Sequence, residues 1–291
     1  MFRQLPALIV AGIAIVSSAQ ARAGGVGLGY TYTAEVEEPG ETEVELWATD
    51  RRGKGEGHYD AQDYRLELER GITERFQIAA YANFASHHVR GLDEELDRVD
   101  RDFGFQGVAA EFKYQVLNPK KDGLGLAFYV EPASSRISKV KGEKTREFEL
   151  EFKAIVQKNF LDDRLVWAAN LTLEPEWERE REELAPGILD THTEKELAFE
   201  ATSGLAYKVS PHWAVGVEGR YHSVYPDWTA GLHRENYAVY AGPTVHFSSG
   251  EWGVTATWLP QLFGAPSGPG SSLEYDDHEQ RELRLKISRE F

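Results

Sequence analysis

The sequence predicts an all-β fold, an antiparallel transmembrane β-barrel of about twelve strands, and three observations carry that prediction. From about residue 42 to the end, apolar and polar residues alternate with a period of two, as in Leu283, Leu285 and Ile287 against Glu282, Arg284, Lys286 and Ser288. A secretion signal stands ahead of them: Arg3, an apolar stretch from Leu5 to Val16, and small residues ending in Ala21-Arg22-Ala23, an A-x-A cleavage pattern. No later run has the roughly 20 apolar residues that a membrane helix needs, so strands are the elements left to cross a bilayer.

The expected organisation is a signal peptide over 1–23, a lead-in over 24–41 that is either periplasmic or a barrel plug, and a barrel over 42–291. Alternation places strands near 42–50, 62–70, 76–86, 104–116, 123–132 and 146–158, then near 164–175, 195–208, 212–222, 236–247, 251–261 and 280–291. Gly27 to Thr33 also alternates, but one added strand would make the count odd, so it is assigned to the lead-in. Fourteen strands, with one segment split, is the alternative count.

Connections between these segments alternate in length, as they do in outer-membrane barrels with short periplasmic turns and long external loops. The short ones are Gly71-Ile72-Thr73-Glu74, Asn118-Pro119-Lys120-Lys121-Asp122, Leu161-Asp162-Asp163, Ser210-Pro211 and Ser248-Ser249-Gly250, rich in turn formers. The long ones cover 51–61, 87–103, 133–145, 176–194, 223–235 and 262–279. Such a pattern puts both chain ends in the periplasm.

Alternation alone leaves open which face is apolar, and two arguments turn the apolar face outward. A closed barrel of about twelve strands is too wide to fill with apolar side chains, whereas charges suit a wet interior. Aromatic residues also gather near the turns and loops, where interfacial girdles form. The expected girdle is Phe76, Phe160, Trp213, Phe247, Trp252, Trp258 and Phe291, with Tyr225, Trp228, Trp258 and Phe263 towards the loop end. The expected lumen lining is Arg65, Glu67, Glu69, Glu111, Lys113, Glu131, Glu147, Glu149, Glu151, Lys153, Glu174, Glu200, Glu218, Arg220, Glu282, Arg284 and Lys286. Those charges either pair across the interior and close it, or line a narrow path that favours cations.

With 48 acidic against 32 basic residues and a net charge of -16, the chain lacks the basic surface that nucleic-acid binding requires. There is no cysteine, which excludes disulfides, thiolate metal sites and lipid attachment at sulfur. Mean hydropathy is -0.48, as expected when only one face of each strand is apolar. No cofactor or metal set and no catalytic set is assigned. The weak candidates are His246 with Ser248 and Ser249, which resemble the His-x-Ser element of lipid A deacylases; Asp276, Asp277 and His278, which resemble outer-membrane protease residues; and the His87-His88 pair. External acidic runs such as Asp93-Glu94-Glu95, Asp97, Asp100 and Asp102, and Glu178 to Glu183, read as solvated loops.

The stretches Gly29-Tyr30-Thr31-Tyr32-Thr33-Ala34-Glu35, Glu43-Val44-Glu45-Leu46-Trp47 and Tyr64 to Gln77 resemble a group of uncharacterised Gram-negative outer-membrane barrels. The turn Gly71-Ile72-Thr73-Glu74-Arg75-Phe76-Gln77 is similar to that of porin-like transporters encoded with aromatic-degradation pathways. The resemblance implies architecture and orientation, and no substrate or site residue. The expected function is a narrow porin-like channel for small solutes or cations; the alternatives are a barrel-anchored enzyme or adhesin, a closed structural barrel, and a soluble periplasmic β-protein. Expected partners are outer-membrane lipid and lipopolysaccharide, and the barrel-insertion machinery, through the terminal Phe291 after its alternating strand.

Overall fold

The computed structural model describes residues 26–55, 57–91, 98–139, 142–185, 188–267 and 270–291, with backbone alone over 180–191. The expected signal peptide and the acidic residues Asp93, Glu94, Glu95 and Asp97 lie outside these described residues. Twelve strands form one closed antiparallel barrel: β1 (Thr42–Arg52), β2 (His58–Thr73), β3 (Phe76–Arg90), β4 (Arg98–Leu117), β5 (Gly125–Ile137), β6 (Lys144–Phe160), β7 (Leu165–Ala185), β8 (Ile188–Lys208), β9 (Trp213–Pro226), β10 (Asn236–Ser249), β11 (Trp252–Ala265) and β12 (Arg281–Glu290). Each strand pairs with its sequence neighbours, and β1 pairs with β12 from Glu43↔Glu290 to Arg52↔Arg281. Closure leaves no open edge, which a bilayer would not tolerate.

The pleat sorts the alternation as the wide-barrel argument requires. Val217 is 59% exposed on the outer face, while the adjacent Glu218 is 2% exposed inside. Leu46, Leu66, Phe112, Phe128, Leu171 and Leu285 share the outer face with Val217, whereas Glu67, Glu111, Lys113, Glu149 and Glu282 are buried within. An apolar exterior around a charged interior is the inverse of a soluble barrel.

Several strands outrun their expected ends on the long-loop side. The expected loop 176–194 is instead the far half of the β7–β8 hairpin, with Glu176↔Glu196, Glu178↔Glu194 and Glu183↔Leu189 in register. About ten residues suffice to cross a bilayer, and these two strands have 21 each. Beyond the lipid both faces are wet, so Glu176-Trp177-Glu178-Arg179 loses the polar-apolar contrast while the backbone ladder continues.

The turns at the opposite end are tight. Leu161, Asp162 and Asp163 adopt φ of 55°, 54° and 60°, which brings β6 back into β7. Asn118 accepts from the backbone N–H of Lys120 and Lys121 and anchors the β4–β5 turn. The turn expected over Gly71 to Glu74 is shorter, since β2 continues to Thr73 across a bulge and leaves Glu74-Arg75 to reverse the chain.

Gly71 has its own reason. The chain entering β1 crosses it there, with Gly71 N–H donating to the Glu41 carbonyl and Gly40 N–H to the Gly71 carbonyl. A Cβ on Gly71 would lie 2.2 Å from the Glu38 carbonyl oxygen and 2.5 Å from that of Glu37. Gly71→Ala is therefore expected to cost about 1–3 kcal/mol, the usual range for a forced insertion into a packed site, measured as a lowered urea midpoint of the refolded barrel.

Candidate functional site

The interior is occupied by the chain's own lead-in. Residues 26–37 form no strand; they run inside the barrel wall and leave it to start β1. An unpaired backbone in such a place needs partners for its N–H and C=O groups. The wall supplies them as side chains. Glu218 accepts hydrogen bonds from three successive amides, of Gly29 (2.7 Å), Tyr30 (2.9 Å) and Thr31 (2.9 Å), and from Thr257 Oγ1 (2.9 Å). Asn170 pairs with both backbone groups of Tyr32, accepting from its N–H at 2.7 Å and donating to its carbonyl at 2.9 Å. The Ala34 N–H donates to Gln157 at 2.8 Å and its carbonyl accepts from Gln115 at 2.8 Å; Glu37 N–H donates to Gln77 at 3.0 Å.

Apolar wall residues receive the side chains of the same segment. Val26 and Leu28 pack on Val166, Ala168, Ala206 and Ala214; Tyr30 packs on Ala238, Tyr240 and Leu259; Ala34 packs on Ala127, Tyr129 and Ile155. These inward apolar positions depart from a uniformly charged lining, and each lies where the lead-in passes.

Three aromatic rings then meet wall cations across the middle of the lumen. The Arg284 guanidinium lies 3.9 Å from the Tyr30 ring centre and donates to the Gly29 carbonyl (3.1 Å) and to Thr49 (2.9 Å). The Lys153 ammonium sits 4.0 Å from the Tyr32 ring, and Lys286 sits 4.2 Å from the Trp47 ring while pairing with Glu45 at 2.9 Å. Desolvated cation–π contacts of this kind contribute about 1–2 kcal/mol each.

Tyr30, Tyr32 and Trp47 border two cavities. One, of about 680 Å³, opens at the short-turn end between the lead-in and a wall that includes Glu43, Glu45, Glu67, Glu69, Lys113 and Lys286. The other, of about 450 Å³, faces the long loops. Its lining carries fourteen Asp and Glu against seven Lys and Arg, so pairing leaves an acidic surplus. Arg220 bridges Glu200 (2.5 Å) and Glu282 (2.7 Å), Arg65 pairs with Glu131 (3.1 Å), Lys153 with Glu151 (2.9 Å), and Glu149 with Lys139. Glu147 and Glu174 lie beside these in the same chamber.

Every residue expected to line the lumen is buried or half-buried in the barrel. Among the aromatic positions, Phe160, Trp213, Trp252, Trp258 and Phe291 are exposed, while Phe76 and Phe247 are half-buried. Trp213 rests on Phe247 at 4.8 Å, and Arg289 lies over both Trp252 and Phe291. Trp258, expected towards the loop end, instead stands mid-strand in β11, because that strand continues to Ala265.

The catalytic candidates are drawn into structural contacts. His246 Nδ1 bonds Thr255 Oγ1 at 2.9 Å, with its ring against Gly27. His278 bonds the Asn236 carboxamide at 2.9 Å, and Asn236 also donates to Asp277 at 2.8 Å; burial holds the His278 imidazole neutral, pushed down to about 2. His87 is fully buried against the Lys139 carbonyl, whereas His88 is half-buried and meets Asp100, so the pleat turns the two imidazoles apart.

A family model matches residues 20–291, almost the whole sequence. The chain belongs to DUF6662, a family of unknown function. No curated protein sequence matches it. Among solved structures, this DUF6662 chain is similar to the COG4313 outer-membrane channel of Pseudomonas putida F1, with a TM-score of 0.62, 14% identity, and coverage of 89% of this chain and 98% of that one. It is also similar to the translocator domain of the autotransporter NalP from Neisseria meningitidis (TM-score 0.53, 10% identity, 88% and 90% covered) and to the NanC porin (TM-score 0.50, 10% identity, 84% and 98% covered). At these identities the likeness is one of fold: the twelve-stranded barrel belongs with outer-membrane barrel folds.

Replacing Glu218 by Gln removes charge-assisted acceptance from three amides, interactions of about 1.5–3 kcal/mol each. Amide hydrogen exchange at Gly29 to Thr31 is expected to accelerate about ten-fold or more in the variant. A pH effect comes from Glu37 in the lead-in, outside the strands: burial first, then the carboxylates of Glu290 and Glu41, pushes its carboxyl up to about 7. A carboxyl raised in the folded state contributes stability that is full below about pH 4.5 and lost as pH rises through 7. Proteolysis of the lead-in is expected to be slower at pH 5 than at pH 8, with the difference reduced in Glu37→Gln.

Proposed function

We propose that this protein is a bacterial outer-membrane channel for small solutes or cations, with its aqueous path narrowed by its own N-terminal segment. One observation carries the reading: two polar cavities approach each other from opposite ends of the barrel and share Tyr30, Tyr32 and Trp47 as their common border. A barrel built only as an anchor has no need of a charged interior with a surplus of carboxylates. The surplus on the loop side favours cations over anions.

In this reading residues 1–23 are a cleaved signal peptide, the short turns lie in the periplasm and the long hairpins reach outward. Outer-membrane lipid and lipopolysaccharide meet the apolar belt, with the aromatic girdle at its borders, and Phe291 serves the insertion machinery. The charged lumen residues set selectivity.

Planar-bilayer recording tests the proposal. The wild-type protein is expected to give small cation-selective steps, and deletion of residues 26–36 to raise single-channel conductance several-fold. Glu149→Gln with Glu151→Gln is expected to move the reversal potential towards zero selectivity. The dense hydrogen bonding of the lead-in favours a second reading, a closed structural barrel; silence from a correctly folded deletion variant would establish that reading and overturn the channel.

A further inference from the structure

Three of the lumen carboxylates converge at the short-turn chamber. In the barrel register Glu69 of β2 and Glu111 of β4 stand on either side of Ala79 of β3, and Glu67 lies one inward position further along β2. Ala79 is too small to separate them. One oxygen from each of Glu67, Glu69 and Glu111 lies within 4.8 Å of the other two. Two oxygens bound to one Ca²⁺ at about 2.4 Å are at most about 4.8 Å apart, whereas the shorter Mg²⁺ bond allows only about 4.2 Å.

Glu111 is oriented from behind. Gln77 Nε2 donates to one of its oxygens at 3.0 Å and the Tyr81 hydroxyl donates to the other, so it is placed as an acceptor, the form a metal ligand takes. Glu67 has no such support. It is only 4% exposed, and its Oε2 is buried without a hydrogen-bond partner. A buried carboxylate oxygen without a donor is costly unless a cation serves it or the group takes up a proton. Lys113 and Lys286 belong to the same chamber, yet among the described residues neither forms an ion pair with these three carboxylates; Lys286 is engaged by Glu45. Glu67 and Glu69 border the 680 Å³ cavity, which supplies both an entry path and water for the remaining coordination positions.

We infer that Glu67, Glu69 and Glu111 form a binding site for one divalent cation, with Ca²⁺ the best fit. It is a site of hard oxygen ligands on three carboxylates from two strands, closed behind by Gln77 and Tyr81. The alternative is protons shared among the three carboxyls, which would serve Glu67 Oε2 without an ion.

Isothermal titration of the refolded, chelator-treated full chain with CaCl₂ decides between them. The expected result is one saturable site with a Kd of about 1 mM or tighter, within the range of weak extracellular Ca²⁺ sites. Glu67→Gln is expected to weaken it about ten-fold or more, and Glu147→Gln in the other chamber to leave it unchanged. Tb³⁺ luminescence sensitised through Tyr81, displaced by Ca²⁺ and lost in Glu67→Gln, would place the ion beside Glu111. Absence of a saturable site in the wild type, or equal affinity in folded Glu67→Gln, overturns the inference. Should that variant fail to fold, the half-buried Glu69→Gln replaces it with the same two outcomes. Because the readout is binding, it stands or falls separately from conductance.

Discussion

An unpaired chain inside a closed barrel must find a hydrogen-bond partner for each peptide group, and that demand organises the interior of this molecule. Most of the wall's backbone is engaged in its own ladders, so inside the barrel it is mainly side chains that answer, with Gly71 of β2 adding its backbone groups where the lead-in enters β1. Glu218 does so for three successive amides, Asn170 for both groups of Tyr32, and Gln157 and Gln115 for the two groups of Ala34. Once the lead-in is held on these points, its rings fall under Arg284 and Lys153, and the two cavities are divided.

Charge pairing in the wall follows from the same crowding. A wide empty barrel would leave its inward arginines and carboxylates to water, where pairs are worth little. Here the lead-in displaces water from the middle, and the wall ions pair closely instead: Arg220 with Glu200 and Glu282, Arg65 with Glu131. Towards the loop end the pairing no longer balances, and the carboxylate excess remains in a chamber open to solvent.

The architecture was legible because the outward face must be apolar along each lipid-crossing segment, and a period of two survives in the sequence wherever that holds. It failed beyond the lipid, at Glu176 to Glu183, where the ladder persists with both faces wet. The lead-in was recognised as something other than a strand, but its place had two answers, since Gly27 to Thr33 has the same alternation whether it crosses a membrane or packs against a wall. A signal for its seat did exist. Gln77, Gln115, Gln157 and Asn170 occupy inward positions close to the short turns, where charged residues prevail elsewhere, and neutral amides that both donate and accept are what a peptide backbone needs. The grouping of Glu67, Glu69 and Glu111 had no such trace, because β2 and β4 are brought together only by the strand between them.

The seam between the first and last strands has a counterpart inside the barrel. Phe291 N–H donates to the Thr42 carbonyl, so the wall closes next to the residue where the lead-in ends. The lead-in's anchors lie 123 residues away at Gln157, 138 at Asn170 and 189 at Glu218. A segment that precedes the whole wall in sequence thus has its seat distributed over strands far along the chain, and contacts of such long range form slowly. With the wall sealed at Thr42 and Phe291, the lead-in acts as a tie from within: it joins β6, β7 and β9, strands that the seam between β1 and β12 does not touch.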